Sequence, residues 1–570
     1  MSRSRWGAVA ALLAAVLTVS SCRCGTSEPV DHAPQPQPHS QAWLEGRLEQ
    51  EPEAAPRSGG TLTIRVPEEP RGLCPLHDGM RGRVAERYLV GPVYETLLTT
   101  DPSGRELRAR LAEAWSSDLA GTVHLFRLRE GVTFHDGTPL TADDVVATLA
   151  AVRSGMNVTT AARARLGPIE RVRAVDPLTV EVRWEQPTVA GFRALGLTIP
   201  ILPAHALKEG FNTAAILNRP IGTGPFRVTG WEAGEALTME RYADHWDGPA
   251  WLDRVVLRWV PDDREAARLF AEGAFDVMTG ISPATWKAME TESWSHAYRR
   301  TRVIENTPQM LVWNQVHPAL ADARVRRALA LLQPDETVRA SVEGGLSVST
   351  RCPFHPGSPA CEDRQSPPPP DAEAAQALLA EAGWVDADGD GMREKGGETL
   401  LIRLAFGADS TVSGALVREL APVWKEAGVV LEPQPLGWSE LLSHLRAGDF
   451  DAVAMAWPMT DVEAPLLPLV HGENPAGINY GGHADPELDL LLAQRDAAFS
   501  PVERDTLARA IRDRLELNPP FLVVSFRPRL EAVKREVRGW TDTPAWPLLQ
   551  RLWREQAPEQ EATAETGALQ

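Results

Sequence analysis

The sequence has 570 residues, which is too long for one ordinary hydrophobic core, so we expect two or three lobes. With 43% apolar and 24% charged residues, the composition is typical of a soluble globular protein. The formal net charge of −19 comes without a long run of Lys or Arg, which argues against a nucleic-acid partner, because phosphate neutralisation requires clustered cations.

The N-terminus has the layout of a secretory signal peptide. Arg3 and Arg5 supply a basic region, and the apolar run of about a dozen residues that follows is too short to span a bilayer comfortably. The run ends in VSSC, which resembles a bacterial lipobox, in which the cysteine is diacylated and becomes the first residue of the mature chain. We therefore expect removal of residues 1–21 and lipidation of Cys22. The alternative is an ordinary signal peptide that happens to contain a cysteine.

Two terminal stretches are predicted to be disordered. Residues 22–58 are rich in Pro, Glu, Gln and Ala and poor in aliphatic residues, and we interpret them as a tether. A flexible chain of this length has a reach on the order of 30 Å, so a lipid at Cys22 could hold a mobile body near a membrane. Residues 554–570 have the composition of a disordered tail.

The five cysteines suit an exported protein, because disulfides persist outside the cytoplasm. Cys352 and Cys361 bracket a loop that contains proline and glycine, and we expect a local disulfide between them. A zinc site is less favoured, because no second cysteine or histidine pair with finger-like spacing accompanies them. The sequence leaves open whether Cys24 and Cys74 pair.

Strand and helix signals interleave along the rest of the chain. Residues 61–66 and 179–184 alternate like strands, and residues 372–383 read as a helix ended by glycine. Residues 124–146 read as a strand, a tight His-Asp-Gly turn and a helix that starts at Thr141 with a capping-box pattern. Mixed signals of this kind predict α/β lobes.

A set of segments in a fixed order carries a family resemblance. The segments are 58–62, 93–97, 111–115 with 124–146, 220–226, 241–248, 311–314 with 322–329, 381–384, and 479–480 with 485–489. Together they resemble the extracellular solute-binding proteins of family 5, the oligopeptide-, dipeptide- and nickel-binding components of ABC importers. The resemblance runs from about Gly59 to Gly539.

The resemblance implies an α/β fold of two lobes, a Venus flytrap that hinges closed on its ligand, with an extra subdomain enlarging the first lobe. The expected boundaries are 59–93, 220–305 and 520–553 for the core of the first lobe, 94–219 for its additional subdomain, and 306–519 for the second lobe.

The function implied is that of a substrate-binding lipoprotein that captures peptides and delivers them to the permease and ATPase of an ABC importer. Such a protein would be a monomer at the periplasmic face of a bacterial membrane. A lipoprotein sensor or scavenger without a dedicated permease is the alternative, as is capture of a metal chelate, for which a clear ligand cluster is lacking. The segment 333–336 departs from the family pattern, so the ligand class cannot be carried over directly.

Four residues are candidates for ligand binding. In peptide-binding members an Asp of the second lobe pairs with the ligand's α-amino group, and Asp461 is the best match, one residue further from Trp457 than in many members. We expect Asp461 to receive a cationic amine, and Trp457, Thr460 and Trp313 to line the cleft. The alternative for Asp461 is an exposed loop acid beside a tryptophan of the core. For any one of the 18 tryptophans, packing in the core is the alternative.

Enzyme motifs are missing from the sequence. There is no GxSxG elbow, HExxH pair or GxxxxGK[ST] loop, and Gly222-Thr-Gly224 lacks the third glycine of a dinucleotide-binding turn. The 13 histidines are scattered and form no i, i+4 pair beside a carboxylate motif. We therefore expect a protein that is not an enzyme and holds no cofactor or metal.

Residues 386–398 read DADGDGMREKGGE and begin like a calcium-binding loop. Such a loop requires a bidentate glutamate at position 12, which is Gly397 here, with Glu398 one residue late. A helix should follow, yet residues 399–404 are interpreted as the beginning of a strand. We therefore expect a helix-to-strand connection with glycine turns rather than a calcium site.

Overall fold

The computed structural model of the protein describes most of the chain between residues 56 and 555. The described residues are 56–74, 76–77, 87–155, 163, 166–208, 220–292, 294–342, 344–364, 367–457, 459, 469–473, 477–541 and 549–555. The predictions for the signal peptide, for lipidation of Cys22 and for Cys24 lie outside these residues. So does most of the predicted tail. Its first residue does not, because Trp553–Arg554 form a strand, so the predicted start of the tail at 554 is too early.

One mixed sheet of ten strands extends through both lobes. Strands pair in parallel at two places, where residues 61–66 lie between 254–259 and 277–278 and where residues 401–407 lie between 430–436 and 452–456. The buried positions of these strands are mostly apolar, with Val, Ile and Leu joined by Ala, Met, Phe and Trp, which suits a sheet covered on both faces. In order across the sheet, the strands are β16 (Val430–Leu436), β15 (Leu401–Gly407), β17 (Ala452–Ala456), β12 (Tyr298–Trp313), β18 (Phe521–Lys534), β11 (Val277–Met278), β1 (Thr61–Val66), β10 (Arg254–Trp259), β9 (Ala236–Arg241) and β8 (Phe226–Glu232).

Smaller antiparallel sheets surround this sheet. A four-stranded one has the order β4 (Ala112–Ser117), β5 (Val123–Leu128), β7 (Thr179–Trp184) and β6 (Ile169–Asp176). Three pairs are β2 (Leu98–Thr100) with β3 (Leu107–Ala109), β13 (Glu394–Lys395) with β14 (Glu398–Thr399), and β19 (Val537–Arg538) with β20 (Trp553–Arg554). The strands expected at 61–66 and 179–184 are confirmed.

Helices cover both faces of the large sheet. Several begin after a side chain that accepts a hydrogen bond from the first helical turn, among them Ser410, Asp485 and Ser500. The helix expected at 372–383 is present as α8, followed by Gly383 at φ 88°. The described helices are α1 (Ala142–Ser154), α2 (Val189–Thr198), α3 (Ala204–Leu207), α4 (Asp263–Ala271), α5 (Pro283–Ala288), α6 (Ala323–Leu331), α7 (Asp335–Val342), α8 (Ala372–Glu381), α9 (Thr411–Glu426), α10 (Trp438–Ala447), α11 (Pro486–Ala497) and α12 (Pro501–Leu517).

The two lobes are the two ends of the ten-stranded sheet, so the fold is α/β and two-lobed, as the sequence predicts. Strands β12 and β18 are long enough to belong to both lobes, and they pair on both sides of an interruption at residues 305–307. The boundary expected at 520 falls just before β18. Because residues 521–526 pair with the second-lobe part of β12, the chain leaves the second lobe inside β18, near residue 527.

The first lobe and the segment 94–219 share one hydrophobic core. Leu62 of β1 and Leu257 of β10 belong to the same buried cluster as Phe126 of β5 and Trp184 of β7. An additional subdomain that shares its core with the lobe moves with that lobe as one body, because detaching it would expose the shared apolar surface to water.

Candidate functional site

The hinge between the lobes is the stretch where the paired strands β12 and β18 pass from one lobe to the other. This stretch is called the crossing. Ile304 lies opposite Pro528 and Pro308 lies opposite Phe526, so three residues of β12 bulge against the single residue Arg527. Proline has no N–H to donate to the ladder, and each strand carries one at the crossing. The connection is therefore poorer in backbone hydrogen bonds than the strands on either side, which suits a bending point.

The carboxyl ends of three strands of the second lobe face this hinge. Ala456, the last residue of β17, lies opposite Gln309 beside the crossing. Because β15, β16 and β17 are parallel, the carboxyl ends of all three strands lie on this side. In α/β sheets, ligands bind at the carboxyl ends of parallel strands. The edge formed by the ends of β15, β16 and β17, with the residues that follow them, is called the binding edge below.

Trp457 lies on the binding edge. It follows β17, its N–H donates to Pro308 O at 3.0 Å, and the N–H of Met459 donates to Asn306 O at 2.8 Å. The indole is half-buried against a core of the second lobe. The structure therefore places one candidate residue beside the hinge. Thr460 and Asp461 lie outside the described residues.

Trp313 does not lie at the cleft, which corrects its assignment as a ligand contact. It is the last residue of β12, at the end of the strand remote from the hinge, and its side chain is 0% exposed. It packs in a core of the second lobe with the ring of Trp424 at 6.3 Å. Core packing, the alternative for any tryptophan, holds for Trp313.

The structure adds Trp438, which the sequence reasoning missed. It is the first residue of α10, directly after β16 and Gly437, and therefore stands on the binding edge. Its side chain is 63% exposed, whereas Trp184, Trp313 and Trp424 are fully buried. A large aromatic surface left open at such a position is suited to stacking on a ligand. A tryptophan immediately after a glycine that follows a strand is the sequence pattern that could have predicted this candidate.

Trp438→Ala is expected to weaken ligand binding about tenfold, because loss of an aromatic contact costs on the order of 1.4 kcal/mol. The melting temperature should stay the same, since the side chain has little buried surface to lose. Calorimetry with solute eluted from the wild-type protein measures the first effect, and thermal unfolding measures the second. Leu490→Ala, an exposed apolar residue on α11 away from the binding edge, is the matched control and should bind normally.

A chain of charges lies along the first-lobe side of the hinge. Arg87 pairs with Glu305, Arg529 Nη1 lies 4.0 Å from Glu305, and Arg529 Nε lies 2.8 Å from Glu531. Burial opposes the charge on Arg87, but attraction by Glu305 outweighs it and raises the pKa of Arg87. Arg529 and Glu531 are nearly inaccessible, whereas the Arg87 and Glu305 side chains keep 29% and 18% exposure. This outer pair is therefore the part of the chain of charges that a solute can reach.

The loop between Cys352 and Cys361 supports the hinge from the second lobe. The structure joins the two cysteines in a disulfide with their Cα atoms 5.8 Å apart. Within the loop, the N–H of Gly357 donates to Nδ1 of His355 at 3.1 Å, so Nε2 carries the proton and donates to Ile304 O at 3.1 Å. Burial lowers the pKa of His355, which favours this neutral form. The loop thus holds β12 at the last residue before its bulge.

The aspartate-rich segment connects α8 to β15 through the hairpin β13–β14, as the sequence predicts. Asp386 accepts hydrogen bonds from the N–H groups of Gly389 at 2.7 Å and Gly391 at 3.1 Å. The carboxylates of Asp386, Asp388, Asp390 and Glu394 lie within 4.8 Å of one another and could hold a cation. The sequence reasoning tested position 12 and missed Glu394, which the hairpin turns toward the aspartates. All four are at least partly exposed, and the group lies away from the hinge.

A two-lobed α/β fold with a bulged hinge and a binding edge that faces it defines a protein that encloses a solute. Comparison with family models gives the same class: residues 106–476 match the model described as "Bacterial extracellular solute-binding proteins, family 5 Middle". The chain belongs to this family. Its members are substrate-binding proteins rather than enzymes. Within the described residues, no helix has the length and apolar character needed to cross a membrane.

Individual relatives resemble nearly the whole chain. The oligopeptide-binding protein AppA of Bacillus subtilis is 24% identical over 522 residues, which cover 87% of this chain and 92% of AppA. A structure of that protein with a nonapeptide has a TM-score of 0.71 at 21% identity and covers 88% of this chain and 100% of its own. NikA from Brucella suis in complex with Fe(III)-EDTA has a TM-score of 0.75 at 23% identity, with 87% and 100% covered.

Proposed function

We propose that the protein is the substrate-binding lipoprotein of an ABC importer and that it captures peptides between its lobes. The observation that carries the proposal is the position of the binding edge, which faces the hinge and carries Trp457 and Trp438. A solute held there touches both lobes, so its binding free energy differs between open and closed states. Only such a difference can drive closure.

Peptides are the solute class that the site and the relatives favour. An extended peptide is held through its backbone, while water-filled side-chain pockets tolerate many sequences. In this proposal Asp461 receives the α-amino group, and Trp457 and Thr460 line the cleft beside it. The Arg87–Glu305 pair offers a donor and an acceptor on the opposite lobe. AppA, which is similar over most of its length, is named for oligopeptides and has been seen with a nonapeptide.

Membrane attachment completes the proposal. A lipid on Cys22 and a tether of residues 23–58 would keep the body within about 30 Å of the bilayer, close enough to meet a permease. Closure brings surfaces of the two lobes together, so a permease that contacts both lobes distinguishes loaded from empty protein. The energy for transport comes from the partner ATPase.

Mass spectrometry of the solute that co-purifies with the full chain, expressed in its own host, tests the ligand class. We expect a mixture of peptides with free amino termini. Protein that has been unfolded, dialysed and refolded is the control and should release no peptides. A single metal chelate or sugar would overturn the peptide assignment; the likeness to a NikA structure with Fe(III)-EDTA makes a chelate the outcome to look for first. A peptide mixture without a permease partner in crosslinking would instead favour a sensor or scavenger.

A further inference from the structure

The lobes also touch away from the hinge, where the connection between α11 and α12 meets the segment 94–219 of the first lobe. The last two residues of α11 and this connection, residues 496–500 together, are called the tip below. Phe499 reaches into the first lobe, with its ring 5.3 Å from the ring of His124 and 6.0 Å from that of Phe192. Gly121 leaves the room for it, because a Cβ at that position would lie 2.8 Å from the phenyl ring. Phe499 is thus a second-lobe side chain packed on the first-lobe core.

Two polar contacts accompany Phe499. The carboxylate of Asp496, in the last turn of α11, accepts a hydrogen bond at 2.6 Å from the N–H of Ala190 in the first turn of α2. The positive end of the α2 helix dipole also stabilises a carboxylate at this place. Asp505 of α12 pairs with Arg105 of the β2–β3 turn at 2.7 Å, with both side chains about a quarter exposed. Each contact joins one lobe to the other.

The tip lies on the same side of the sheet as the candidate site. Helices α11 and α12 cover the core of the second lobe against which Trp457 and Met459 pack. Just before α11, Gly481 O accepts the N–H of Gln315, near the end of β12 remote from the hinge, and α12 leads back to Phe521, opposite Val312. The tip between the helices therefore points toward the hinge and the first lobe. Opening the lobes about the hinge on this side must pull the tip away from residues 121–192.

We propose that Asp496, Phe499 and Asp505 form a latch that stabilises the closed state directly, without help from the ligand. In two-state closure, the apparent affinity for a solute scales with the population of the binding-competent state. A latch outside the cleft therefore sets affinity for every solute by the same factor and leaves specificity to the cleft. The contacts are few and partly exposed, which suits a closed state that exchanges with the open one. This inference deepens the proposed function, but its test requires no ligand.

The test uses refolded, ligand-free full-length protein. Phe499→Ala should raise the ratio of open to closed protein by about tenfold, because the variant lacks the phenyl ring that packs on the first lobe. We expect a larger radius of gyration in small-angle X-ray scattering and faster hydrogen exchange at Ala190, whose N–H is released when the tip detaches. Asp505→Ala should act in the same direction by a smaller factor, and the exchanged pair Arg105→Asp with Asp505→Arg should restore compactness.

Glu516→Ala is the matched control, because it removes an ion pair from the same helix that stays within the second lobe, with Arg364 at 3.2 Å and both side chains about 40% exposed. It should leave radius and exchange unchanged. If Phe499→Ala and Asp505→Ala leave the radius unchanged, the tip is a static contact and the latch is overturned, whether or not exchange at Ala190 speeds up. Because no ligand is present, that failure is separate from a failure of the peptide proposal.

Discussion

Glu95→Gln is expected to lower the free energy of unfolding at pH 7 by about 3 kcal/mol, because it leaves a buried arginine without its counter-charge. Glu95 is fully buried, accepts from Arg110 Nε at 2.9 Å and from Trp246 Nε1 at 2.9 Å, and lies 3.4 Å from His245 Nε2. Burial opposes the charge, but Arg110 and the hydrogen bonds outweigh it and lower the pKa of Glu95 to about 2.

The same shift gives the pH dependence. Since the folded pKa lies below the ordinary value of 4.5, the stabilisation is complete above pH 4.5 and is lost as the pH falls toward 2. Urea unfolding of both proteins between pH 7 and pH 3 should show a difference that narrows on acidification. Glu106→Gln, in an exposed pair with Arg108, is the control and should change stability by less than about 0.5 kcal/mol. Equal stability of wild type and Glu95→Gln at pH 7 would contradict the role of Glu95.

The contacts of Glu95 with Arg110, His245 and Trp246 explain why the family segments predict the fold but not the ligand. Segment 93–97 supplies Glu95, and segment 241–248 supplies His245 and Trp246, so two distant motifs meet at one buried carboxylate. Segment 220–226 packs so tightly on segment 93–97 that a Cβ on Gly222 would lie 1.9 Å from Val93 O. These motifs are built into the core of the first lobe, and they therefore predict the fold rather than the solute.

The elements were predictable where local chemistry decides them. Alternation placed β1 and β7, a glycine with positive φ ended α8, and Asp144 accepts the N–H of Thr141 at 2.8 Å as the capping pattern required. The disulfide partners stand only nine residues apart, so a local loop was enough to suggest their pairing. The sequence did not predict that β12 and β18 each belong to both lobes, because no local pattern indicates that one strand will pair in two lobes.

The site was predictable only in part, because burial of a tryptophan depends on its neighbours in space. Trp313 and Trp438 are the same residue type, yet Trp313 ends a strand inside the core and Trp438 follows a strand at the binding edge. The pair Arg87–Glu305 joins residues 218 positions apart, and the latch joins α2 to α11 across 306 positions. Contacts of this kind arise from topology and leave no spacing in the sequence.

Asp461→Asn is expected to weaken peptide binding at least about tenfold, since losing one partner of a desolvated charge pair costs more than about 1.4 kcal/mol. Isothermal calorimetry with a synthetic peptide chosen from those eluted from the wild-type protein measures the effect. Asp388→Asn makes the same change of charge in an exposed turn of the second lobe and should leave binding unchanged. Under the peptide proposal, the two variants differ in whether the lost carboxylate receives the amino group of the ligand.

Acetylation of the peptide's α-amino group makes the assignment specific to that group. The wild-type protein should lose at least about tenfold in affinity for the acetylated peptide, because under the peptide proposal the cation that pairs with Asp461 is then missing. Asp461→Asn should bind free and acetylated peptides with similar affinity, since the interaction is already absent, so the two losses are not additive. Equal losses on acetylation in both proteins would show that another group receives the amine, and unchanged affinity of Asp461→Asn for the free peptide would make Asp461 an exposed loop acid.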